Sequence, residues 1–376
     1  NAGKIKVGVD SALPSTAVTL SSIGQLTIEN GFSQTIGNLT SASANSKVNL
    51  VGSGALTVTQ TSDTTFAGVM TGRGNLIKTG ANSLTLSNNN THAGDITISA
   101  GTLTVIGTLS DGADVVVNGG VYNVDANDTV ASISGLGGSI NIASEVTLTD
   151  KGNSKTYAGA IAGDGTFRHV SGNLTLSGTN TVANVTITGG TVDVTGTLAD
   201  TAAVSVSSGA VYKVSNTDTV GSITGAGFIN LESDQTLSTG STASTFSGTM
   251  RGAGSFEKVG AATLTLSGVN NYTGTTTITG GTLTLADNVA NILPDQSAIT
   301  LANTAGVILN INGKSAETIG TLSGGGANGG NITLGDGNLT INNRANTIYS
   351  GVISGSGSVT KIGSTTLTLE GVNTYT

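Results

Sequence analysis

A chain of 376 residues with 57 glycines, no tryptophan and 10% charged residues, against roughly 25% in an ordinary soluble domain, is not composed like a typical globule. Its 14 basic and 22 acidic residues, net −8, include no basic run to neutralise phosphates, so no nucleic-acid partner is expected. Zero cysteines exclude disulfides, thiolate zinc sites and a cysteine nucleophile, and no run of about eighteen apolar residues is present, so no direct membrane insertion by this segment is expected.

The chain opens at Asn1 without a secretory signal pattern, so either a leader was removed or the sequence is internal. Val, Ile and Thr are abundant and charge is thin, which argues against disorder. From the first residues onward, short runs alternate an apolar residue with Thr or Ser: LTI, VNL, LTV, LTL, ITI. That period of two marks strands with one buried face. Gly, Asn and Asp separate the runs, as turns require, and no segment has a helical period.

The blocks then repeat. They read TTFAGVMTGRGNLIKTGANSLTLS from Thr64, KTYAGAIAGDGTFRHVSGNLTLS from Lys155, STFSGTMRGAGSFEKVGAATLTLS from Ser244 and TIYSGVISGSGSVTKIGSTTLTLE from Thr347. Steps of 91, 89 and 103 residues separate their aromatic starts, Phe66, Tyr157, Phe246 and Tyr349. Each block carries Gly-x-Gly, at Gly72 and Gly74, Gly163 and Gly165, Gly252 and Gly254, and Gly355 and Gly357. The linking segment from Thr108 matches that from Thr197, and ALPSTAVTL at Ala12 echoes ILPDQSAITL at Ile292. The expected organisation is one continuous array of about four modules of about ninety residues, at 1–63 (partial), 64–154, 155–243, 244–346 and 347–376 (partial).

A β-solenoid accommodates this pattern: each coil turns alternate side chains inward, and like residues stack on like. The spacing predicts Leu84 and Leu86 beside Leu103 and Val105, Leu174 and Leu176 beside Val192 and Val194, and Leu264 and Leu266 beside Leu283 and Leu285. About 20 residues per coil, roughly 17–20 coils, and about 4.8 Å between strands predict a rod on the order of 90 Å. Outward Thr and Asn are expected to form hydrogen-bonded ladders.

GAGSFEKVGAATLTLSGVNNYTGTTTITGGTLTL, from Gly252 to Leu285, resembles the autotransporter-associated β-strand repeat of type V secreted passenger domains. Lys78, Lys258 and Lys361 fill the Lys position of that motif, from which His169 departs. Gly268, Asn270, Tyr272 and Gly274 match its centre, whereas Thr179 to Asn184 lack the Tyr and the Gly. The resemblance implies an all-β, right-handed parallel β-helix exported to a bacterial cell surface and anchored in the outer membrane through a region outside this chain. It implies little about activity, because such repeats are scaffold. The chain stops at TLTLEGVNTYT, where TLTLSGVNNYT occurs earlier, so the polypeptide is expected to continue past Thr376.

No catalytic, cofactor-binding or metal residue is assigned. His92 aligns with Tyr272 and His169 with Lys258, so each takes a position other residue types fill in sister copies. Asp111 aligns with Asp200 and Asp128 with Asp218, which suggests turn duty. Asp125 aligns with Ser215, and Asp63, Asp95, Asp164 and Glu257 stand singly. The GDG at Gly163 and at Gly335 is only a fragment of a calcium nonapeptide, and the Gly-x-Gly pairs lack the Lys and helix of a phosphate loop. Lys78, Lys258 and Lys361 read as solvated charges that discourage lateral sheet pairing, or as a basic row facing an anionic surface. Tyr272 and Tyr375 read as packed over turns rather than stacked on sugars.

The expected function is a non-enzymatic surface rod: stalk, adhesin or fibre segment. Self-association, further repeats of the same polypeptide, or host and surface glycans or proteins are its expected partners. The alternatives are a β-helix polysaccharide lyase or hydrolase, whose groove would lie where ADNVANILPDQ from Ala286 and SGGGANGGN from Ser323 interrupt the repeat, and a glycan- or receptor-binding passenger without chemistry.

Overall fold

The computed structural model describes residues 3–287, 289–312 and 316–376. One residue of the interrupting segment from Ala286, Asn288, lies outside the described residues. The secondary structure is strand, and every ladder among the described strands is parallel. The strands stack into about 18 coils, and the contacts divide the chain into two compact units, 1–185 and 186–376.

In the first unit each coil contributes strands to successive faces. Lys4–Val7, Gln25–Ile28, Lys47–Leu50 and Val69–Gly72 form one ladder. A second ladder runs through Ser33–Ile36, Ala55–Thr59, Asn75–Thr79, Ile96–Ile98 and Asp114–Val117. The third includes Thr64–Phe66, Ser83–Leu86, Thr102–Val105, Val121–Val124, Ser139–Ile142 and Ala160–Ala162. The second unit repeats the plan. Thr191–Val194, Val211–Val214, Phe228–Leu231 and Thr249–Gly252 pair in order on one face. Thr236–Thr239, Ser255–Lys258, Thr276–Ile278 and Ile299–Leu301 pair in order on another.

The predicted stacking is present within each unit. Leu84 pairs with Leu103 and Leu86 with Val105; Leu264 pairs with Leu283 and Leu266 with Leu285. All eight side chains are fully buried. Their Thr neighbours face outward, and such positions form the expected ladders: Asn141 Nδ2 donates to Asn123 Oδ1 at 3.1 Å, and Asn123 Nδ2 to Thr104 Oγ1 at 3.4 Å.

The repeated glycines have two distinct duties. Gly72, Gly163, Gly252 and Gly355 adopt φ of 100°, 103°, 110° and 119°, which L side chains rarely tolerate. Their partners Gly74, Gly165 and Gly254 have ordinary φ but press on the coil beneath, where a Cβ would run into the carbonyl oxygens of Gly54, Ala143 and Glu232. Gly-x-Gly is thus a corner with no space for a side chain at either glycine, not a phosphate loop. The aromatic-x-Gly start has a related cause. Phe66, Tyr157, Phe246 and Tyr349 are fully buried, and the tip of each ring lies against the backbone of Gly68, Gly159, Gly248 or Gly351, two residues on.

Gly252→Ala is expected to lower the stability of the second unit by about 1–3 kcal/mol from backbone strain alone, with further loss from the clash on Leu231. Denaturant melts comparing it with an exposed change such as Ala253→Ser check this.

Candidate functional site

The chemistry-bearing side chains of this chain are used mainly at the corners of the coils. There the chain turns out of the ladder, and its N–H and C=O groups need other partners. The asparagine of the central motif supplies one set. Asn90, Asn180, Asn270 and Asn373 each accept the N–H of a residue one coil away: Met70, Ile161, Met250 and Ile353, at 3.0, 3.0, 2.7 and 2.8 Å. Each amide also donates to a carbonyl two residues back, on Asn88, Gly178, Gly268 and Gly371. The second copy, without the Tyr and Gly of the motif, keeps this clamp through Asn180.

The expectation that Lys78 and Lys258 are solvated charges is overturned, and so is the basic-row alternative at these two positions. Both are fully buried. Lys78 Nζ donates to the carbonyls of Thr79, Gly80 and Ala100 at 2.8, 2.9 and 3.1 Å. Lys258 Nζ reaches those of Val259, Gly260, Gly280 and Gly240 at 2.7, 2.9, 2.8 and 3.3 Å. An ammonium offers three donors and no acceptor, which suits a corner where several carbonyls converge. Burial lowers each amine to about 8, so both remain protonated at neutral pH. Lys361 is exposed and, among the described residues, makes two local bonds, to the carbonyls of Ile362 and Gly363.

His169 takes the same slot with different chemistry. It is fully buried; its Nδ1 lies 2.7 Å from Asp150 Oδ2 and its Nε2 lies 3.3 Å from the Gly172 carbonyl. Asp150 is the residue paired with it one coil away, where Val58 faces Lys78 and Thr239 faces Lys258. The pair fills a corner and has no surface access. His92 is also fully buried, but neither ring nitrogen has a hydrogen-bond partner among the described residues. Its counterpart Tyr272 is packed over a turn as predicted, with its hydroxyl 2.6 Å from Thr276 Oγ1; the first copy has Ile96 in place of that threonine. Desolvation lowers His92 to about 4.

Asp128 and Asp218 do serve turns, from inside. Tyr122 and Tyr212 donate to them at 2.9 and 3.0 Å, and the N–H groups of Leu109 and Leu198 do so from the coil before. Burial raises both carboxyls, Asp218 to about 6. Glu317 was not singled out by the sequence. It is buried, accepts Ile292 N–H and Leu293 N–H at 2.9 and 2.8 Å, and is raised by burial to about 8. It therefore anchors the interrupting segment rather than lining a groove.

The remaining acids are spread over the surface. Asp111 pairs with Lys151 at 3.1 Å, Asp63 accepts Ser83 N–H, and Glu257 accepts the hydroxyls of Ser238 and Thr279. Asp95, Asp125, Asp164 and Asp200 are exposed, and Tyr375 is half-buried. Among the described residues no group of three or more His, Cys, Asp or Glu is arranged to hold a metal ion. A charged outer face in the second unit, around Lys213, Asn230 and Arg251, also escaped sequence reading. Its signal is the contrast with the sister copy, which carries Asn123, Asn141 and Ala162 there.

Fold and corner chemistry together define a parallel β-solenoid made of recurring passenger-type repeats. The passenger-associated-transport-repeat family model matches residues 76–105, 171–194, 256–285 and 359–376. The adhesin BmaC autotransporter of Brucella suis biovar 1 (strain 1330) is 40% identical over 129 residues, which is 34% of this chain and 4% of that protein. The chain thus carries four of these repeats and resembles an autotransporter passenger, a secreted, cell-surface kind of segment. No solved structure matches it.

Lys258→Met keeps the length of the side chain but strips its carbonyl partners of a donor, and is expected to destabilise the second unit by about 2–4 kcal/mol; thermal and urea melts measure it. For His92 the unfolded chain takes up a proton near pH 6.5 while the folded chain resists until about pH 4. Stability contributed by this site is therefore intact above 6.5 and is lost as pH falls through about 4. His92→Phe should weaken that acid loss and raise stability at neutral pH by about 1 kcal/mol, seen in melts across this range.

Proposed function

We propose that this chain is a non-enzymatic, adhesive segment of a surface-displayed autotransporter passenger, anchored in the outer membrane by a region outside it. The 40% identity to an autotransporter adhesin, on a chain carrying four passenger repeats, is the observation that supports this reading. The corner chemistry agrees with it: buried Lys78, Lys258, Asp128, Asp218 and Glu317 are engaged with backbone groups, and buried His169 with Asp150 and a carbonyl. Contact with partners falls to the outward positions, whose Thr, Asn and Ser side chains repeat from coil to coil. Repeated weak contacts along such a surface add through effective concentration. Self-association with further copies belongs to the same reading, since outward ladders of like residues are self-complementary.

Display of residues 1–376 on a non-adherent Gram-negative host tests the proposal. Attachment to epithelial cells or matrix-coated surfaces, or cell-to-cell clumping, should rise above that of the same host displaying an unrelated β-solenoid. Attachment and clumping no greater than that control would remove the adhesive reading, and cleavage of a polysaccharide by the purified chain would replace it with the enzymatic one.

A further inference from the structure

One outer face of the second unit departs from the repeat in a concerted way. On the ladder of Thr191–Val194, Val211–Val214, Phe228–Leu231 and Thr249–Gly252, the outward column reads Asp193, Lys213, Asn230, Arg251. The sister column in the first unit reads Thr104, Asn123, Asn141, Ala162 in the same register. Beside it, Phe228 and Glu232 stand where the sister copy has Ser139 and Ala143, and Asn271 and Thr273 stand where it has Thr181 and Ala183. The coils keep their pairing in both copies, so the fold does not require the larger and charged set.

These residues surround an open depression of about 550 Å³ lined by Asn230, Glu232, Arg251, Asn271 and Thr273 among others. The guanidinium of Arg251 lies 4.1 Å over the ring of Phe228, and its Nε donates to Asn230 Oδ1 at 2.6 Å. Ring and amide together fix its plane. Its terminal nitrogens have no partner among the described residues, and no carboxylate lies within ion-pair distance of it. The one acid of the depression, Glu232, is engaged by Lys213 at 3.6 Å, and Lys213 is also held by Asp193 at 3.1 Å. The face therefore carries one oriented guanidinium whose terminal nitrogens are open to a ligand, flanked by the exposed side chains of Asn271 and Thr273 from the next coil, while the two acids and two cations Asp193, Glu232, Lys213 and Arg251 balance in charge.

We infer that this depression binds a carboxylate-bearing sugar of a polysaccharide, with Arg251 gripping the carboxylate and Asn271 and Thr273 bonding ring hydroxyls. A planar fork matches a carboxylate bidentately, and a fork already fixed by stacking loses little freedom on binding. The open walls mix the amide of Asn271 and the hydroxyls of Ser233 and Thr273 with apolar surface from Leu231 and Ala253, which suits the hydroxyls and ring faces of a sugar. The inference deepens the adhesive reading and rests on it for biological meaning, but binding at the site is measurable apart from adhesion.

The test titrates the full 376-residue chain with an oligogalacturonate, its carboxyl-reduced counterpart and a polyglutamate peptide, read by calorimetry and by NMR shifts. Saturable binding of the oligogalacturonate and none of the reduced sugar is expected. Arg251→Ala and Phe228→Ser install the residues of the sister copy, so the fold should persist by circular dichroism and melting. Arg251→Ala should weaken binding about 10- to 100-fold, and Arg251→Lys, which keeps charge without the fork, by less. Absence of oligogalacturonate binding, binding unchanged in Arg251→Ala, or equal binding of polyglutamate overturns the inference. Adhesion of the displayed chain that survives Arg251→Ala, without uronate binding, removes this site and leaves the adhesive reading standing. Uronate binding that depends on Arg251 in a chain that confers no adhesion does the reverse.

Discussion

A stack of parallel coils lives or dies at its corners. Along the faces the ladders satisfy every N–H and C=O automatically, but at each corner the chain swings out of register while still bordering an apolar interior. A buried backbone group left without a partner costs about 1–3 kcal/mol, and the corners recur in every coil. The chain answers with a small kit of inward polar side chains: Asn for one N–H and one or two carbonyls, Lys for a cluster of carbonyls, Asp or Glu for N–H groups. Once the corners are closed, the interior between them can be filled by stacked Leu, Val and Ile alone. The large ring that opens each repeat fits because a glycine opposes it, as Gly248 does for Phe246.

This view explains substitutions that would otherwise look like chemistry. A buried His–Asp pair 2.7 Å apart resembles half of a catalytic arrangement. Its position in the repeat says otherwise. Lysine brings three donors to this corner; a histidine brings at most two, in directions fixed by the ring. Exchanging Lys for His at position 169 therefore requires another polar group, and Asp150 supplies it from the paired residue one coil away, where the other copies have Val58 or Thr239. His92 shows the uncompensated case. It replaces a tyrosine, but the threonine that would receive it is an isoleucine, and both nitrogens are without partners among the described residues.

Much of this was legible from the letters. Period-two runs fix which residues face inward, and repeat spacing fixes which Leu meets which, as at Leu84–Leu103 and Leu264–Leu283. At the buried lysines parity outranks charge. Lys78 is two residues from Leu76, and Lys258 two from Phe256, so each shares the inward face of its strand. The alternation alone places them inside. What the sequence does not display is the reason an inward Lys is tolerable, because the carbonyls it meets belong partly to other coils, such as those of Ala100 and Gly280. The buried Tyr–Asp pairs, six residues apart at Tyr122–Asp128 and Tyr212–Asp218, have the same character. Their spacing is visible, but their meeting depends on how the intervening corner folds.

A division of labour follows from the alternation itself. Inward positions are constrained twice, by the side chains stacked on either side and by the corners they must satisfy, so they change only in compensated sets. Outward positions are constrained by little more than strand propensity and solubility. The contrast between Thr104, Asn123, Ala162 and Asp193, Lys213, Arg251 shows how far one outer column can change while the strand pairing beneath stays in register. A repeat protein of this kind can alter what it touches without altering how it folds. Recognition is therefore to be sought where the outer faces of sister copies differ, and not where their interiors agree.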